Sequence, residues 1–166
     1  ASVDMETRTQ VGIIGAGPAG LFLAHLLRQH GIESVVLESR SQEYVEARVR
    51  AGVLEAGTVK TMGMLGLDSR LQRDGLVDEG LDIRFRGGTI HLDLPDLTGE
   101  RVMIYGQQEV VKDLIAARVA ADDPIYFEAE ATRVSDLDTD RPRIHFRHAG
   151  DDHVLECDVI AACDGY

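Results

Sequence analysis

Apolar and polar positions alternate with a spacing that changes along the chain. Residues 11–14 form a short apolar run ending at Gly15, and between 21 and 27 apolar residues recur on one helical face before Gly31 supplies a stop. This predicts strand, turn and helix. Residues 32–37 predict a second buried strand, so the first 38 residues read as a βαβ unit with parallel strands and a right-handed crossover. The segment 39–52 is polar, carries Arg40, Arg48 and Arg50, and is long enough to imply a functional loop or short helices. Residues 53–65 and 69–73 have helical spacing, weakened by Gly57, Gly63 and Gly66. Alternating segments at 81–85, 89–94 and 102–105, separated by Gly87-Gly88 and Leu97-Thr98-Gly99, predict an antiparallel meander. Residues 108–121 predict an amphipathic helix on Val111, Leu114, Ile115, Arg118 and Val119, and strands at 125–128, 143–147, 154–157 and 159–162 follow.

Composition narrows the function classes. At 166 residues, 44% apolar and 28% charged, the chain can bury one well-formed core. Lys plus Arg number 17 against 29 Asp plus Glu, and the net charge of -12 argues against a nucleic-acid or anionic-membrane surface. An anionic ligand must therefore be held by local donors. No apolar run approaches the about 18 residues of a membrane span, and the first ten residues lack the basic and apolar regions of a signal peptide, so a cytoplasmic protein is expected. Cys157 and Cys163 fit no common zinc spacing and would share one face of an extended strand, as buried free thiols. His91, His145, His148 and His153 pair with no carboxylate at metal-ligand spacing, so surface positions and no metal site are expected. No Ser-His-Asp or Cys-His arrangement has supporting local sequence.

The chemistry concentrates where the first strand hands over to the first helix. In Gly15-Ala16-Gly17-Pro18-Ala19-Gly20, Gly15 permits a tight turn, Gly17 lets the backbone approach a pyrophosphate, and Gly20 lets the helix pack against the sheet. The helix start offers unpaired N–H groups to phosphates. Glu38 closes the second strand, where an acid accepts hydrogen bonds from an adenosine ribose. These residues leave FAD and NAD both open. An Arg-rich loop and an antiparallel meander then interrupt the winding, which suits an FAD fold with a second domain laid across it rather than a plain NAD dehydrogenase.

Further motifs carry a resemblance. Residues 11–20 resemble the opening of the glutathione-reductase-like FAD enzymes, and Cys163-Asp164-Gly165 resembles the Asp-Gly motif of flavoprotein aromatic hydroxylases. The stretch Tyr44-Val45-Glu46-Ala47-Arg48-Val49-Arg50-Ala51-Gly52-Val53-Leu54-Glu55 is similar to one typical of the 4-hydroxybenzoate 3-monooxygenases, as are Arg73-Asp74-Gly75-Leu76-Val77 and Tyr105-Gly106-Gln107. The resemblance covers nearly the whole chain from about Thr9 and implies an α/β, Rossmann-like FAD-binding domain with a parallel sheet. Its organisation would be FAD-binding residues 5–76 and 106–166, with a meander at 77–105 belonging to a substrate domain.

The resemblance also implies roles. Ala19 and its neighbours Gly15, Gly17 and Gly20 would cradle the FAD phosphates and Glu38 would hold the ribose. Arg48, Val49, Arg50, Ala51, Gly52 and Val53 would lie along the FAD, with Arg50 near its pyrophosphate; Gln107 would reach it as well. Asp164 and Gly165 would approach the flavin and nicotinamide phosphates. Arg40 and Tyr44, with Arg50, would meet the electron donor, NADPH or NADH. Asp78 departs from the pattern, since many members carry histidine there, at the outer end of a proton path from the phenol. The implied activity is an FAD-dependent hydroxylation of a phenolic acid, 4-hydroxybenzoate to 3,4-dihydroxybenzoate, using NAD(P)H and O2, by a homodimer in its full length. Catalytic and substrate-gripping residues are expected downstream of Tyr166, with the chain stopping before them. Alternatives are a flavin monooxygenase for another phenol, a halogenase, which the Arg-x-Arg-Ala-Gly stretch speaks against, and a nucleotide-binding module without catalysis.

Overall fold

A computed structural model describes residues 7–165. The chain divides into two compact units, Ala1–Arg48 with Val111–Tyr166, and Val49–Val110.

The first unit is built on a six-stranded sheet in the order β8-β2-β1-β11-β10-β9. Its elements are β1 (Arg8–Ile14), α1 (Pro18–Gln29), β2 (Ser34–Leu37), α2 (Gln42–Ala47), most of α6 (Gln107–Ala120), β8 (Ile125–Tyr126), β9 (Ala129–Ser135), β10 (Arg143–His148) and β11 (Asp151–Ala162). β1 pairs in parallel with β2 and β11, and β2 with β8, while β10 pairs antiparallel with β11 and β9. All four residues of β2 are buried, as a strand enclosed within a parallel sheet requires.

Two strands expected at 154–157 and 159–162 are one. β11 runs unbroken for 12 residues, its first part antiparallel to β10 and its last part parallel to β1. Asp158 is a single outward polar position in a ladder, not a turn. β9 was not expected beyond 128, because most of its side chains are exposed and leave no apolar alternation to read.

Val35, Leu37, Ile144, Phe146, Leu155 and Cys157 form the core beside β1. Gly12 makes room for it, since a Cβ there would stand 2.5 Å from the Cys157 sulfur and 2.6 Å from Ile144 Cδ1. Burial pushes the Cys157 thiol up to about 11. Cys163 lies just past the end of β11 and is half-buried, where a fully buried thiol was expected; both thiols are free. His145, His148 and His153 are partly exposed, the last stacked on Phe146 at 5.2 Å between ring centroids. His91 is exposed.

α6 buries Val111, Leu114, Ile115 and Arg118, but Val119, counted on the same stripe, is exposed. Positions 118 and 119 sit about 100° apart around a helix, and the sheet takes the arginine. From α1, His25 is buried and its Nε2 lies 2.8 Å from the Leu114 carbonyl oxygen, so the neutral ring donates Nε2–H to it. Burial, the largest cause, lowers the His25 pKa. The folded state then binds fewer protons than the unfolded chain below the ordinary value of about 6.5, and stability falls as pH drops through that range. His25→Gln, which keeps an N–H donor, should flatten the acid limb below about pH 6.5 in urea titrations.

The second unit holds β3 (Val53–Leu54), α3 (Ala56–Met64), α4 (Ser69–Asp74), β4 (Leu76–Asp78), β5 (Gly80–Phe85), β6 (Gly88–Asp93), α5 (Leu94–Thr98) and β7 (Val102–Ile104). The three segments expected to form one meander separate. β5 and β6 make a two-stranded ribbon, while β7 pairs with β3 and β4. The cause is α5: the Asp93 carboxylate accepts the Asp96 N–H at 2.9 Å, Pro95 opens the helix, and Gly99 closes it at φ 75°. Helical spacing over 53–65 does not extend to Val53 and Leu54, which pair with Ile104 and Met103; the helix begins at Ala56.

Candidate functional site

The site forms where β1, β2 and β11 end together. Ile14 accepts the Cys163 N–H at 2.8 Å, and Leu37 accepts the Gly15 N–H at 2.7 Å, so the ends of all three strands are bonded side by side. Gly15 turns the chain at φ +106°, and a Cβ there would stand 2.6 Å from the Cys163 carbonyl oxygen. Only glycine meets both demands. A Cβ on Gly20 would overlap the Gly15 carbonyl oxygen and come within 3.1 Å of Ile13 Cγ2, so the missing side chain seats α1 on the turn.

Gly17 plays a different part. A Cβ there would meet nothing within 4 Å. It is the N-cap of α1, no side chain caps the helix, Pro18 follows, and the first turn has no acid. The 12-residue helix therefore presents uncapped N–H groups and its positive end to open space beside Gly17 and the exposed Ala19, the arrangement that receives phosphates.

Glu38 follows β2. Its Oε2 accepts the Ala16 N–H at 2.9 Å and its Oε1 accepts the Arg40 N–H at 2.8 Å. Ser41 caps α2 by accepting the Tyr44 N–H at 3.3 Å, and this short helix places the Tyr44 ring under the Arg40 guanidinium, 5.4 Å from it. A cavity of about 370 Å³ opens among Gly15, Gly17, Glu38, Ser39, Arg40, Arg48, Cys163 and Asp164. Its remaining wall is Ala129, Glu130 and Ala131 of β9, which sequence reasoning missed. That wall is tied to the β2 exit by the Ala129 N–H to the Glu38 carbonyl at 2.8 Å and the Glu128 N–H to the Arg40 carbonyl at 3.0 Å. Two guanidinium groups and the helix start supply the local donors that a chain of net charge -12 needs for an anion.

A larger cavity, about 480 Å³, lies at the other end of these strands, by Arg8, Arg28, Ser34, Arg118 and Asp123. Its cations are already engaged: Arg8 with Glu156 at 3.2 Å, Arg28 with Asp123 at 2.9 Å, and Arg118 with the Ser34 and Pro124 carbonyls. Volume alone does not make it the site.

The other predicted residues, Gly165 apart, fall in the second unit. The Ala51 carbonyl accepts the Gln107 N–H at 3.0 Å and the Gly52 carbonyl accepts the Tyr105 N–H at 2.8 Å, which brings Gln107 to the Arg50-Ala51-Gly52-Val53 stretch. Val49, Arg50 and Val53 are exposed. Asp78 ends β4, exposed, and its carboxylate accepts the Gly80 N–H at 3.1 Å, turning the chain into β5. Gly165 stands at φ +73° after Asp164. Among the described residues no group of three or more His, Cys, Asp and Glu side chains could hold a metal ion, and no helix is long and apolar enough to cross a membrane.

A strand, a glycine turn, an uncapped helix start and an acid bonded back to the turn are the parts of a dinucleotide site, and comparison with known proteins decides which dinucleotide. The family described as FAD binding domain matches residues 8–166. The chain belongs to that FAD-binding family. It is 43% identical over 164 residues to p-hydroxybenzoate hydroxylase of Acinetobacter baylyi, which is 98% of this chain and 40% of that protein. It is 25% identical over 169 residues to 3-(3-hydroxy-phenyl)propionate/3-hydroxycinnamic acid hydroxylase 2 of Burkholderia vietnamiensis, covering 98% of this chain and 30% of that one. The chain thus spans less than half the length of these relatives. Among solved structures, p-nitrophenol 4-monooxygenase from Pseudomonas putida superposes with a TM-score of 0.83 at 23% identity, over 97% of this chain and 42% of that one, which establishes the shared fold. The cofactor of this family is FAD, and the glycine turn, the open helix start and the neighbouring arginines fit its adenosine diphosphate end.

Proposed function

We propose that the chain is the FAD-binding part of a flavoprotein aromatic hydroxylase that uses NADPH or NADH and O2 to convert 4-hydroxybenzoate to 3,4-dihydroxybenzoate. The observation that carries this reading is the 43% identity to p-hydroxybenzoate hydroxylase along 98% of the chain. The protein would work in the cytoplasm, in full length as a homodimer. Bound FAD would supply the electron and oxygen transfer, and the chain's own residues bind, orient and shield.

In this reading the FAD pyrophosphate lies against Gly17 and Ala19 at the start of α1, where a neutral, uncapped helix end favours negative charge. Glu38 takes the adenosine ribose. Arg48 and Arg50 flank the phosphates, because a guanidinium offers fixed paired donors that an ammonium does not. Val49, Ala51, Gly52, Val53 and Gln107 line the cofactor, and Asp164 and Gly165 meet it from the end of β11. Arg40 stacked on Tyr44 gives the donor nucleotide a flat cationic surface. Asp78, an acid exposed at a turn, stands at the position proposed for the end of the proton path.

A second reading, the same reaction on another phenolic acid, is favoured by the similarity to a hydroxylase named for 3-(3-hydroxy-phenyl)propionate. Product analysis separates the two. A protein containing this chain, supplied with FAD, NAD(P)H, O2 and a panel of hydroxylated benzoates and phenylpropionates, should consume NAD(P)H fastest with 4-hydroxybenzoate and release 3,4-dihydroxybenzoate. Faster, coupled hydroxylation of a different acid would move the assignment to that acid. No hydroxylated product from any would leave a nucleotide-binding module.

A further inference from the structure

We infer that Glu38 is a positioning residue for the glycine turn, one that fixes the turn's shape before any nucleotide arrives. The inference rests on the nucleotide reading above. An ionised carboxylate accepts at about four lone-pair positions on its two oxygens. On Glu38 each oxygen already takes one backbone donor, Oε2 the Ala16 N–H at 2.9 Å and Oε1 the Arg40 N–H at 2.8 Å. The side chain therefore bridges the turn after β1 to the chain leaving β2, 22 positions apart. A third donor, the Ser39 hydroxyl, stands 3.3 Å from Oε1. That is beyond the roughly 2.5–3.0 Å of a good O–H···O bond, so an arriving hydroxyl can displace it. One position on each oxygen stays open for a ribose diol while both backbone bonds persist.

The latch matters because of what it holds. Gly15 and Gly17 flank Ala16, and glycine backbones lose the most freedom on ordering. Ala16 is fully buried, so its N–H has no water to turn to if the carboxylate is removed. A turn left loose in the free protein must be ordered by the ligand, and that cost is taken out of affinity even where the ligand never touches Glu38.

A thermodynamic cycle with two probes separates the latch from a ribose contact. ADP and 2′,3′-dideoxy-ADP, which lacks the diol, are titrated into the full chain and into Glu38→Ala and Glu38→Gln. A latch predicts that Glu38→Ala weakens the dideoxy probe as well as ADP, by about five- to tenfold, the order expected for ordering a few residues on binding. Glu38→Gln keeps one carbonyl acceptor and should fall between. Hydrogen exchange at the Ala16 amide of the ligand-free protein should accelerate in the same order. Equal affinity of wild type and both variants for the dideoxy probe, with unchanged Ala16 exchange, overturns the inference. Should the alanine variant fail to fold, the glutamine variant decides by the same two measurements. Failure of the wild-type chain to bind ADP at all would instead bring down the nucleotide reading on which the inference stands.

Discussion

Gly20→Val should weaken FAD binding by the chain about 100-fold or more, roughly 2.8 kcal/mol at 1.4 kcal/mol per tenfold. Any Cβ at this position overlaps the Gly15 carbonyl oxygen, which belongs to backbone already fixed by the Gly15 N–H to Leu37 carbonyl bond. The neighbour cannot rotate away as a side chain tip would. Either α1 lifts off the turn or the turn itself shifts, and both move the N–H groups that face Gly17. Overpacking of this kind costs about 1–3 kcal/mol, which in a domain of this size lowers Tm by several degrees, roughly 2–4 °C per kcal/mol. Gly17→Ala is the matched control. Its Cβ points into open space and its φ of -75° suits any residue, so Tm should hold while FAD affinity falls, because the methyl occupies room proposed for the pyrophosphate. Unchanged FAD binding in Gly20→Val would mean that the cofactor does not use this turn.

Arg118→Met should strongly destabilise the first unit with no effect on FAD affinity. Arg118 is 1% exposed. Its guanidinium donates to the Ser34 carbonyl at 2.6 Å and to the Pro124 carbonyl at 2.8 and 3.1 Å, joining α6 to the start of β2 and the approach to β8. Asp123 is 4.0 Å away and itself 2.9 Å from Arg28, so the buried charge has only a distant counter-ion, and burial lowers the Arg118 pKa. Methionine fills much of the volume but strands the Ser34 carbonyl, at about 1–3 kcal/mol, and takes the charged donor from the Pro124 carbonyl, which keeps the Val36 N–H at 3.2 Å. Part of that is offset because no charge need be desolvated. A net loss of about 2–4 kcal/mol is expected, a large share of an ordinary domain's stability. Urea unfolding measures it, and FAD titration below the transition should give the wild-type Kd, since Ser34 and Leu37 lie at opposite ends of β2.

Much of this was legible in the chain. The glycine turn and Glu38 announce themselves because the physics of a phosphate beside a helix start demands fixed residue types at fixed intervals. The parallel strands were legible because buried strands are continuously apolar. What escaped has equally physical reasons. Arg118 fell on the apolar stripe of α6 by spacing, but only the fold brings two carbonyls to it. The wall of the cavity formed by Ala129, Glu130 and Ala131 left no trace, since a strand with few buried side chains carries no periodicity. The separation of β7 from the β5–β6 ribbon did have a signal, Asp93 two residues before Pro95 and six before Gly99, a helix start and stop packed into one short connection. Asp78 shows the limit of motif reasoning, because its bond to the Gly80 N–H is a local reason for an acid at that turn whatever else it does.

FAD is expected to be held by its adenosine diphosphate end at the glycine turn. Fluorescence titration of FAD into the wild-type chain, repeated at rising ADP concentration, tests this most directly. The expected result is saturable binding at one FAD per chain, with the apparent Kd rising linearly with ADP concentration, as for a competitor at the same turn. FAD that fails to bind, or that binds with an affinity indifferent to saturating ADP, would contradict it.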